Sequence, residues 1–193
     1  MEVPPRQRLS ASDWTAAALD ALAEGGLAAV AVEPLATRLG TTKGSFYWHF
    51  TNRDALLTAV LEQWERTDTE DVITLVESEP AGPVRLRALI AGAVGTRTGE
   101  SARVELALQA TASHPLVAPV LARVTRRRME YLAAQFVELG FPPDEAGRRG
   151  QLAYTSYVGL AQLAHATPQE ADLSAAYLDT MIRTLTIEPT ASP

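Results

Sequence analysis

The chain has 193 residues, of which 47% are hydrophobic and 21% charged, a composition typical of globular proteins with one sizeable core or two smaller helical units. It contains no cysteine, which excludes disulfide bonds and thiolate metal sites, and its net charge of −6 argues against a broadly basic nucleic-acid-binding protein. The N-terminus lacks the apolar segment of a signal peptide, and no apolar run approaches the roughly 18 residues of a membrane span. We therefore expect a cytoplasmic protein.

The first helix is predicted to begin after Ser10. Ser10 and Asp13 have the spacing of a capping box, and Gly25 with Gly26 favours the end of the helix. Between these signals, apolar residues recur at the spacing of one helical face: Trp14, Ala17, Ala18, Ala21 and Leu22.

A second, short helix is predicted from Glu33 to Leu39, followed by a turn at Gly40. Thr42 is a suitable N-cap for a third helix from Lys43 to His49. Two aromatic residues, four positions apart, are expected to anchor this third helix in the core: Phe46 and Phe50.

The remaining sequence predicts six more helices. Asn52 is a suitable N-cap for the fourth, which is expected to run to about Glu77, before a cluster of prolines and glycine at 80–83. The other five are predicted at 85–96, 101–114, 116–139, 144–166 and 169–186, with Ser101 and Asp144 as caps. No segment has the alternation of a strand, so we expect an all-α fold of about nine helices.

The stretch from Leu39 to Phe50, LGTTKGSFYWHF, concentrates side chains that can contact DNA. A short helix, a glycine turn and a second short helix form the arrangement that places a helix in the major groove. The segment Trp14 to Trp64 resembles the DNA-binding domain of the TetR family of transcriptional regulators. The resemblance is carried above all by GSFYWHF at 44–50 and by the residues that follow it: Asn52, Arg53, Ala55, Leu56 and Leu57.

The resemblance implies an N-terminal helix-turn-helix domain at 8–68 and a helical effector-binding and dimerisation domain at 69–193. It also implies the DNA contacts, with Tyr47 and His49 at positions that typically touch phosphate and Arg53 as a phosphate-clamping cation. The full expected contact set is Thr41, Thr42, Lys43, Gly44, Ser45, Tyr47, Trp48, His49 and Arg53. Thr42 also fits a plain helix cap, and Trp48 fits either a contact to the DNA sugar or a support for the helix.

The charge distribution limits how this segment can bind DNA. Residues 1–54 contain five basic and six acidic side chains, a net charge of −1, so affinity must come from a few placed cations used twice in a dimer. Lys43 is the only lysine of the chain. Glu33 departs from a favourable pattern, because an acid near the start of the second helix opposes phosphate. The basic run at 126–128 is interpreted as solvated, since three consecutive helical residues cannot all face one partner.

The last two helices carry apolar and small residues at helical spacing, which suit an intramolecular core or a helix–helix partner. The resemblance implies a dimer interface with these members: Leu152, Ser156, Gly159, Leu163, Leu173, Tyr177, Thr180 and Met181. It also implies an effector pocket, for which the middle helices offer candidates that equally fit an ordinary core: Trp64, Gln109, His114, Met129, Phe136, Tyr154 and Tyr157.

We therefore expect a homodimeric transcriptional regulator, a repressor that binds a palindromic operator on double-stranded DNA and is released by a small molecule. The alternative is a helical protein–protein adaptor of the same fold that does not bind DNA. No catalytic or metal-binding motif is found, so no enzymatic activity, cofactor or metal is predicted.

Overall fold

The computed structural model describes residues 9–95 and 100–187, without the side chains of residues 94, 95, 100 and 101. These two ranges are helical and contain no strand, which confirms the all-α class. The helices are α1 Ala11–Ala29, α2 Val32–Arg38, α3 Lys43–Phe46, α4 Arg53–Glu65, α5 Asp71–Glu77, α6 Pro83–Gly95, α7 Glu100–Ala110, α8 Val117–Glu138, α9 Pro143–Ala166 and α10 Ala175–Thr186. A π-helical segment, Arg66–Glu70, joins α4 to α5 without a break, so the ten helices form nine rods.

Local signals in the sequence define α1. The Ser10 amide donates to Asp13 Oδ2 at 2.7 Å and the Asp13 amide donates to Ser10 Oγ at 3.3 Å, which completes the predicted capping box. Helical geometry breaks at Gly25 and Gly26, where Gly26 has a φ of 67°. The predicted end of the regular helix is confirmed, and one further turn leads to Val30.

The turn between α2 and α3 is a Schellman motif built on Gly40, whose φ is 60°. The Thr41 amide donates to Ala36 O at 2.9 Å and the Gly40 amide donates to Thr37 O at 3.1 Å. A residue with a Cβ atom would be strained at this φ. The glycine therefore sets the angle at which α3 leaves α2.

The first four helices share a core around Trp14 and Phe46, both fully buried, whose ring centroids lie 5.3 Å apart. Leu56 and Leu57 of α4 are fully buried in the same core. Asn52 caps α4, because its side chain accepts a hydrogen bond from the Ala55 amide at 2.8 Å. Side chains of α7 and α8 extend the same core: Val104, Leu108, Val117 and Val124. The predicted boundary after residue 68 falls within the unbroken α4–α5 rod.

A second core lies between α6, α8, α9 and α10. Phe136 is fully buried at its centre, and α8 ends in another Schellman motif, at Gly140, in which the rings of Phe136 and Phe141 lie 6.1 Å apart. Helices α8 and α9 come closest at Gly150, where an added Cβ would lie 2.9 Å from the Ala133 backbone nitrogen. Glycine is therefore required there by the neighbouring backbone.

Four predicted helices have corrected bounds. Helix α7 is Glu100–Ala110, so Ser101 lies inside it and the helix ends before His114. Helix α3 ends at Phe46 rather than His49, because the amides of Trp48 and His49 bond to the carbonyls three positions back. The N-cap of α9 is Pro142, so Asp144 lies inside the first turn. Helix α10 begins after Ser174 instead of at Gln169, which belongs to a separate 3₁₀ turn. Thr96, the predicted end of α6, lies outside the described residues.

Among the helices of the described residues, none combines the length and the apolar character needed to cross a bilayer.

We expect Gly150→Ala to destabilise the protein by about 1–2 kcal/mol. Forcing a methyl group against the α8 backbone lowers the free energy of unfolding by about 1–3 kcal/mol. The better helix propensity of alanine offsets up to about 1 kcal/mol of this loss. The matched control is Gly147→Ala on the exposed face of the same helix, where an added Cβ meets nothing within 4 Å. The control should be stabilising by about 0.5–1 kcal/mol in urea titrations. Equal melting of the two variants would contradict the close packing at Gly150.

Candidate DNA interface and ligand cavity

Phe46 divides the helix-turn-helix into an inner and an outer face. Its ring is buried against Trp14 and stacks on Phe50, which confirms the predicted anchors. The next two side chains point outward, with Tyr47 55% exposed and Trp48 87% exposed. Trp48 therefore contributes nothing to the core. Of the two interpretations of Trp48, the one in which it supports the helix by packing is not observed.

The polar residues around α3 lie on the same outer side. Thr42 occupies the N-cap position, but its side chain makes no capping hydrogen bond. Gly44 is exposed, and an added Cβ would meet only Thr42 Oγ1 at 3.6 Å, an ordinary contact. Nothing in the described part of the chain thus requires glycine at this position. Three further predicted contacts are half-buried: Thr41, Ser45 and His49.

Lys43 is engaged by Glu33 of α2. Its Nζ lies 2.8 Å from Glu33 Oε1, and both side chains are more than half exposed. This hydrogen bond lowers the pKa of Glu33 and raises the pKa of Lys43 from their ordinary values. An exposed pair of this kind contributes about 0–1 kcal/mol and is screened by salt. Glu33 consequently competes with any anion for the only lysine.

Arg53 is held by the protein itself. Its Nε donates to Val30 O and its Nη2 to Leu27 O, both at 2.6 Å. These carbonyls lie at the end of α1, where Leu27 O also accepts from the Val30 amide, so the guanidinium fastens α4 to the segment that leads into α2. Arg53 is thus a structural bridge with two of its three nitrogens occupied, and its contact to phosphate stays a prediction. Nothing in the sequence signalled these partners, which lie 23 and 26 residues away.

The interpretation of residues 126–128 as a solvated run is wrong for one of the three arginines. Arg126 is exposed as expected. Arg127 pairs with Glu70 at 3.2 Å and lies over the ring of Tyr131, but its side chain is still 41% exposed. Arg128 is largely buried and pairs with the buried Glu105. The three side chains diverge around α8 as predicted, and of the three Arg128 points into the protein.

A cavity of about 600 Å³ lies between the π-helical segment, α5, α6, α8 and α9. Tyr154 and Tyr157, both predicted for the effector pocket, lie on its wall. A second, more open groove of about 680 Å³ between α7, α8 and α9 includes three of the predicted residues: Gln109, Met129 and Tyr154.

Three predicted pocket residues line neither space. Trp64 is buried beneath Arg128, whose guanidinium carbon lies 5.4 Å from the ring centroid. Phe136 fills the second core. His114 lies in the turn before α8, where its Nδ1 accepts from the Leu116 amide at 3.3 Å. Trp64 and Phe136 pack within the fold and His114 forms part of a turn, so the prediction that these three residues line the pocket is wrong.

Arg128 of α8 bonds to Thr69 and Asp68 of the π-helical segment and to Glu105 of α7, and we call this set of contacts the clasp. Its Nε donates to Thr69 Oγ1 at 3.0 Å and its Nη2 to Asp68 O at 3.1 Å. Its Nη1 lies 3.0 Å from both carboxylate oxygens of Glu105, which also accepts from Tyr157 Oη at 2.6 Å. Sequence reasoning missed the clasp, although an acid within the apolar run at 104–108 was a signal.

Opposing influences act on the charge of Arg128. Burial favours the neutral form and lowers the pKa of the guanidinium, but the charge of Glu105, the nearby Tyr157 and the hydrogen bonds to Glu105 outweigh burial. The net effect raises the pKa of Arg128 above its ordinary value. The guanidinium of Arg128 therefore keeps its positive charge within the core.

The predicted dimer residues divide between two surroundings. On α9, Leu152, Gly159 and Leu163 are exposed, and Ser156 is half-buried. On and before α10, Thr180 is exposed, whereas three others pack against the second core of the same chain: Leu173, Tyr177 and Met181. The outward apolar face is thus provided mainly by α9.

The family model of the bacterial regulatory proteins of the tetR family matches residues 15–60. Among curated proteins, none matches the chain significantly in sequence. A transcriptional regulator from Rhodococcus sp. Rha1 superposes with a TM-score of 0.74 at 22% identity, over 94% of this chain and 100% of that one. A TetR-family regulator from Streptomyces coelicolor gives 0.74 at 18% identity, over 97% and 98%.

The transcriptional regulator FadR from Bacillus subtilis, in complex with stearoyl-CoA, superposes with a TM-score of 0.71 at 16% identity, over 93% of this chain and 100% of that one. At such identities these likenesses establish the fold, and the family model covers the helix-turn-helix that carries the exposed aromatic pair. Residues 15–60 thus match the bacterial regulatory proteins of the tetR family, and the chain as a whole has the fold of the regulators compared.

Proposed function

We propose that this protein is a ligand-responsive transcriptional repressor that binds a palindromic operator as a homodimer and is released by a small molecule. One observation carries the proposal: Tyr47 and Trp48 are exposed at a helix-turn-helix whose neighbouring aromatic residues are buried. The Tyr47 ring touches Phe46 edge to face, with centroids 5.2 Å apart, but more than half of Tyr47 and most of Trp48 remain exposed. They suit contacts to the sugar–phosphate backbone and to base edges.

The proposed DNA contact set keeps the residues on the outer face of α3. Thr42, Lys43, Ser45, Tyr47 and His49 carry hydrogen-bond donors that suit phosphate oxygens or base edges. In a dimer, two such helices would enter successive major grooves about 34–36 Å or somewhat more apart. Arg53 supports this set by fixing the loop before α2, and only its Nη1 makes no hydrogen bond among the described residues.

The response to a ligand is proposed to pass along the rod that joins both cores. The cavity wall includes Asp68 and Thr69, and the same rod continues into α4 beneath the helix-turn-helix. A ligand that favours a different position of the rod would change the separation of the two recognition helices. To empty an almost fully occupied site, it must prefer the non-binding state about 10⁴-fold. The complex of Bacillus subtilis FadR with stearoyl-CoA supports a ligand site in this fold.

A protein–protein adaptor is the second candidate function. Its supporting observation is the Glu33–Lys43 pair, which neutralises the only lysine at the surface proposed for DNA. A gel-shift assay with the DNA upstream of the gene, over a series of salt concentrations, separates the two. A regulator should show a steep fall of log K with log salt, and an adaptor should show no specific shift.

We expect Lys43→Ala to weaken operator binding and to reduce the salt slope by about two per dimer, because each subunit would then neutralise one phosphate fewer. Tyr47→Phe should weaken binding without changing the slope, because it removes a neutral hydroxyl. Both side chains are exposed, so thermal melting should stay at its wild-type value. Unchanged affinity in both variants would refute the assignment of α3 as the recognition helix.

We expect Glu33→Gln to strengthen operator binding and to steepen the salt slope, because Lys43 would lose its competing carboxylate. Glu24→Gln is the matched control: it removes the same charge from an exposed ion pair with Arg38, a residue outside the proposed DNA contact set. Both variants change the net charge equally. A gain in Glu24→Gln as large as in Glu33→Gln would show that overall charge, rather than release of Lys43, controls affinity.

We expect Leu163→Glu on α9 to dissociate the proposed homodimer, because a carboxylate would be buried in an apolar interface. Val137→Glu on α8 is the control, since the two wild-type side chains are 46% and 47% exposed. Sedimentation velocity should give monomers for Leu163→Glu and dimers for Val137→Glu. A dimer in both would place the interface away from this face of α9.

A further inference from the structure

We propose that the cavity between the π-helical segment, α5, α6, α8 and α9 takes an uncharged, largely apolar small molecule. This inference rests on the proposed ligand response and adds the chemical class of the ligand. Most of the wall is aliphatic, including Val72, Ile73, Val76, Leu89, Ile90 and Leu132. Its volume of about 600 Å³ lies in the range of small-molecule sites.

Among the described residues of this wall, Arg128 is the only basic one, and it is already neutralised. Each of its three guanidinium nitrogens donates a hydrogen bond, to Glu105, Thr69 or the Asp68 carbonyl. A ligand carboxylate would have to displace the buried Glu105, which would then lack its charge partner. Breaking a buried pair in this way is strongly unfavourable.

Three of the remaining polar groups on the wall also serve the protein, whereas Tyr131 Oη is buried without a hydrogen-bond partner among the described residues. Tyr157 Oη donates to Glu105, Tyr154 Oη shares a hydrogen bond with Thr125 Oγ1 at 3.2 Å, and Thr69 Oγ1 accepts from Arg128. The acidic wall residues are Asp68 and the exposed Glu79. An anionic ligand would therefore meet carboxylates without gaining a free cation.

A cationic ligand is disfavoured at the aromatic part of the wall, which is formed by Tyr131, Tyr154 and Tyr157. The guanidinium carbon of Arg127 lies 5.8 Å from the ring centroid of Tyr131, and that of Arg128 lies 5.8 Å from the ring centroid of Tyr157. The chain's own cations thus lie over two of these three rings, and a further positive charge would be repelled there.

The test uses isothermal titration of the full chain, without DNA, with three probes of equal chain length at pH 8: decan-1-ol, decanoate and decyltrimethylammonium. Decan-1-ol should bind at least about tenfold more tightly than either ion, because a buried unpaired charge is costly. Octan-1-ol should be weaker by about fourfold for each methylene removed. Tighter binding of decanoate or of decyltrimethylammonium than of decan-1-ol would overturn the proposal.

Two variants test the role of the clasp. Glu105→Gln leaves the Arg128 charge uncompensated, so decanoate should gain at least about tenfold in affinity relative to decan-1-ol. Because that variant leaves a buried charge unpaired, Glu105→Gln combined with Arg128→Met serves as the folded comparison, and it should keep the preference for the alcohol. A preference for decanoate in the double variant, or the absence of this tenfold relative gain in a folded Glu105→Gln protein, would overturn the proposal.

A matched pair of substitutions locates the site. Ala88→Phe narrows this cavity and should abolish decan-1-ol binding, whereas Ala122→Phe, in the groove between α7, α8 and α9, should leave it unchanged. The reverse result would overturn the assignment. These titrations are independent of DNA, so the two proposals can fail separately. If decan-1-ol binds but does not release the operator, the regulatory response alone is refuted. If a charged probe binds more tightly than decan-1-ol and releases the operator, the ligand class alone is refuted.

Discussion

The buried ion pair between Arg128 and Glu105 is the interaction on which the two halves of the molecule depend. The guanidinium contacts the carboxylate from α7 and two groups of the π-helical segment, Thr69 Oγ1 and Asp68 O. Removing one partner of such a pair typically costs about 3–5 kcal/mol, because the other charge stays buried. The position of the α4–α5 rod is therefore fixed relative to α7 and α8, and the wall of the cavity is fixed with it.

The helix-turn-helix carries side chains that favour DNA binding and one ion pair that opposes it. Phe46 directs Tyr47 and Trp48 outward, and Gly40 sets the angle of the helix that carries them. Glu33 holds Lys43 across the same surface. In a region with a net charge of −1, this restraint reduces non-specific attraction to phosphate and leaves a larger share of recognition to the short-range contacts of α3.

The features that sequence predicted well are those with partners a few residues away. The capping box at Ser10, the turn at Gly40 and the cap at Asn52 each involve neighbours within five positions, so their spacing is visible in the sequence. Arg53 and Arg128 bond to groups 23 to 60 residues away, and no local pattern reports such partners. Of the residues predicted for the pocket, Tyr154 and Tyr157 line the cavity whereas Trp64 and Phe136 lie in the core, because aromatic residues at helical spacing fit a core and a cavity equally.

The π-helical segment also sets the register of the rod. Buried side chains recur along it at Val60, Trp64, Thr69, Ile73 and Val76, and only the step from Trp64 to Thr69 spans five residues. The wider turn absorbs one extra residue, and so keeps the later side chains on the side that faces α8. If residues 66–70 wound as a regular α-helix instead, every later side chain would be rotated by about 100°. The wall of the cavity thus depends on the π-helical geometry of this turn as much as on the identity of its residues.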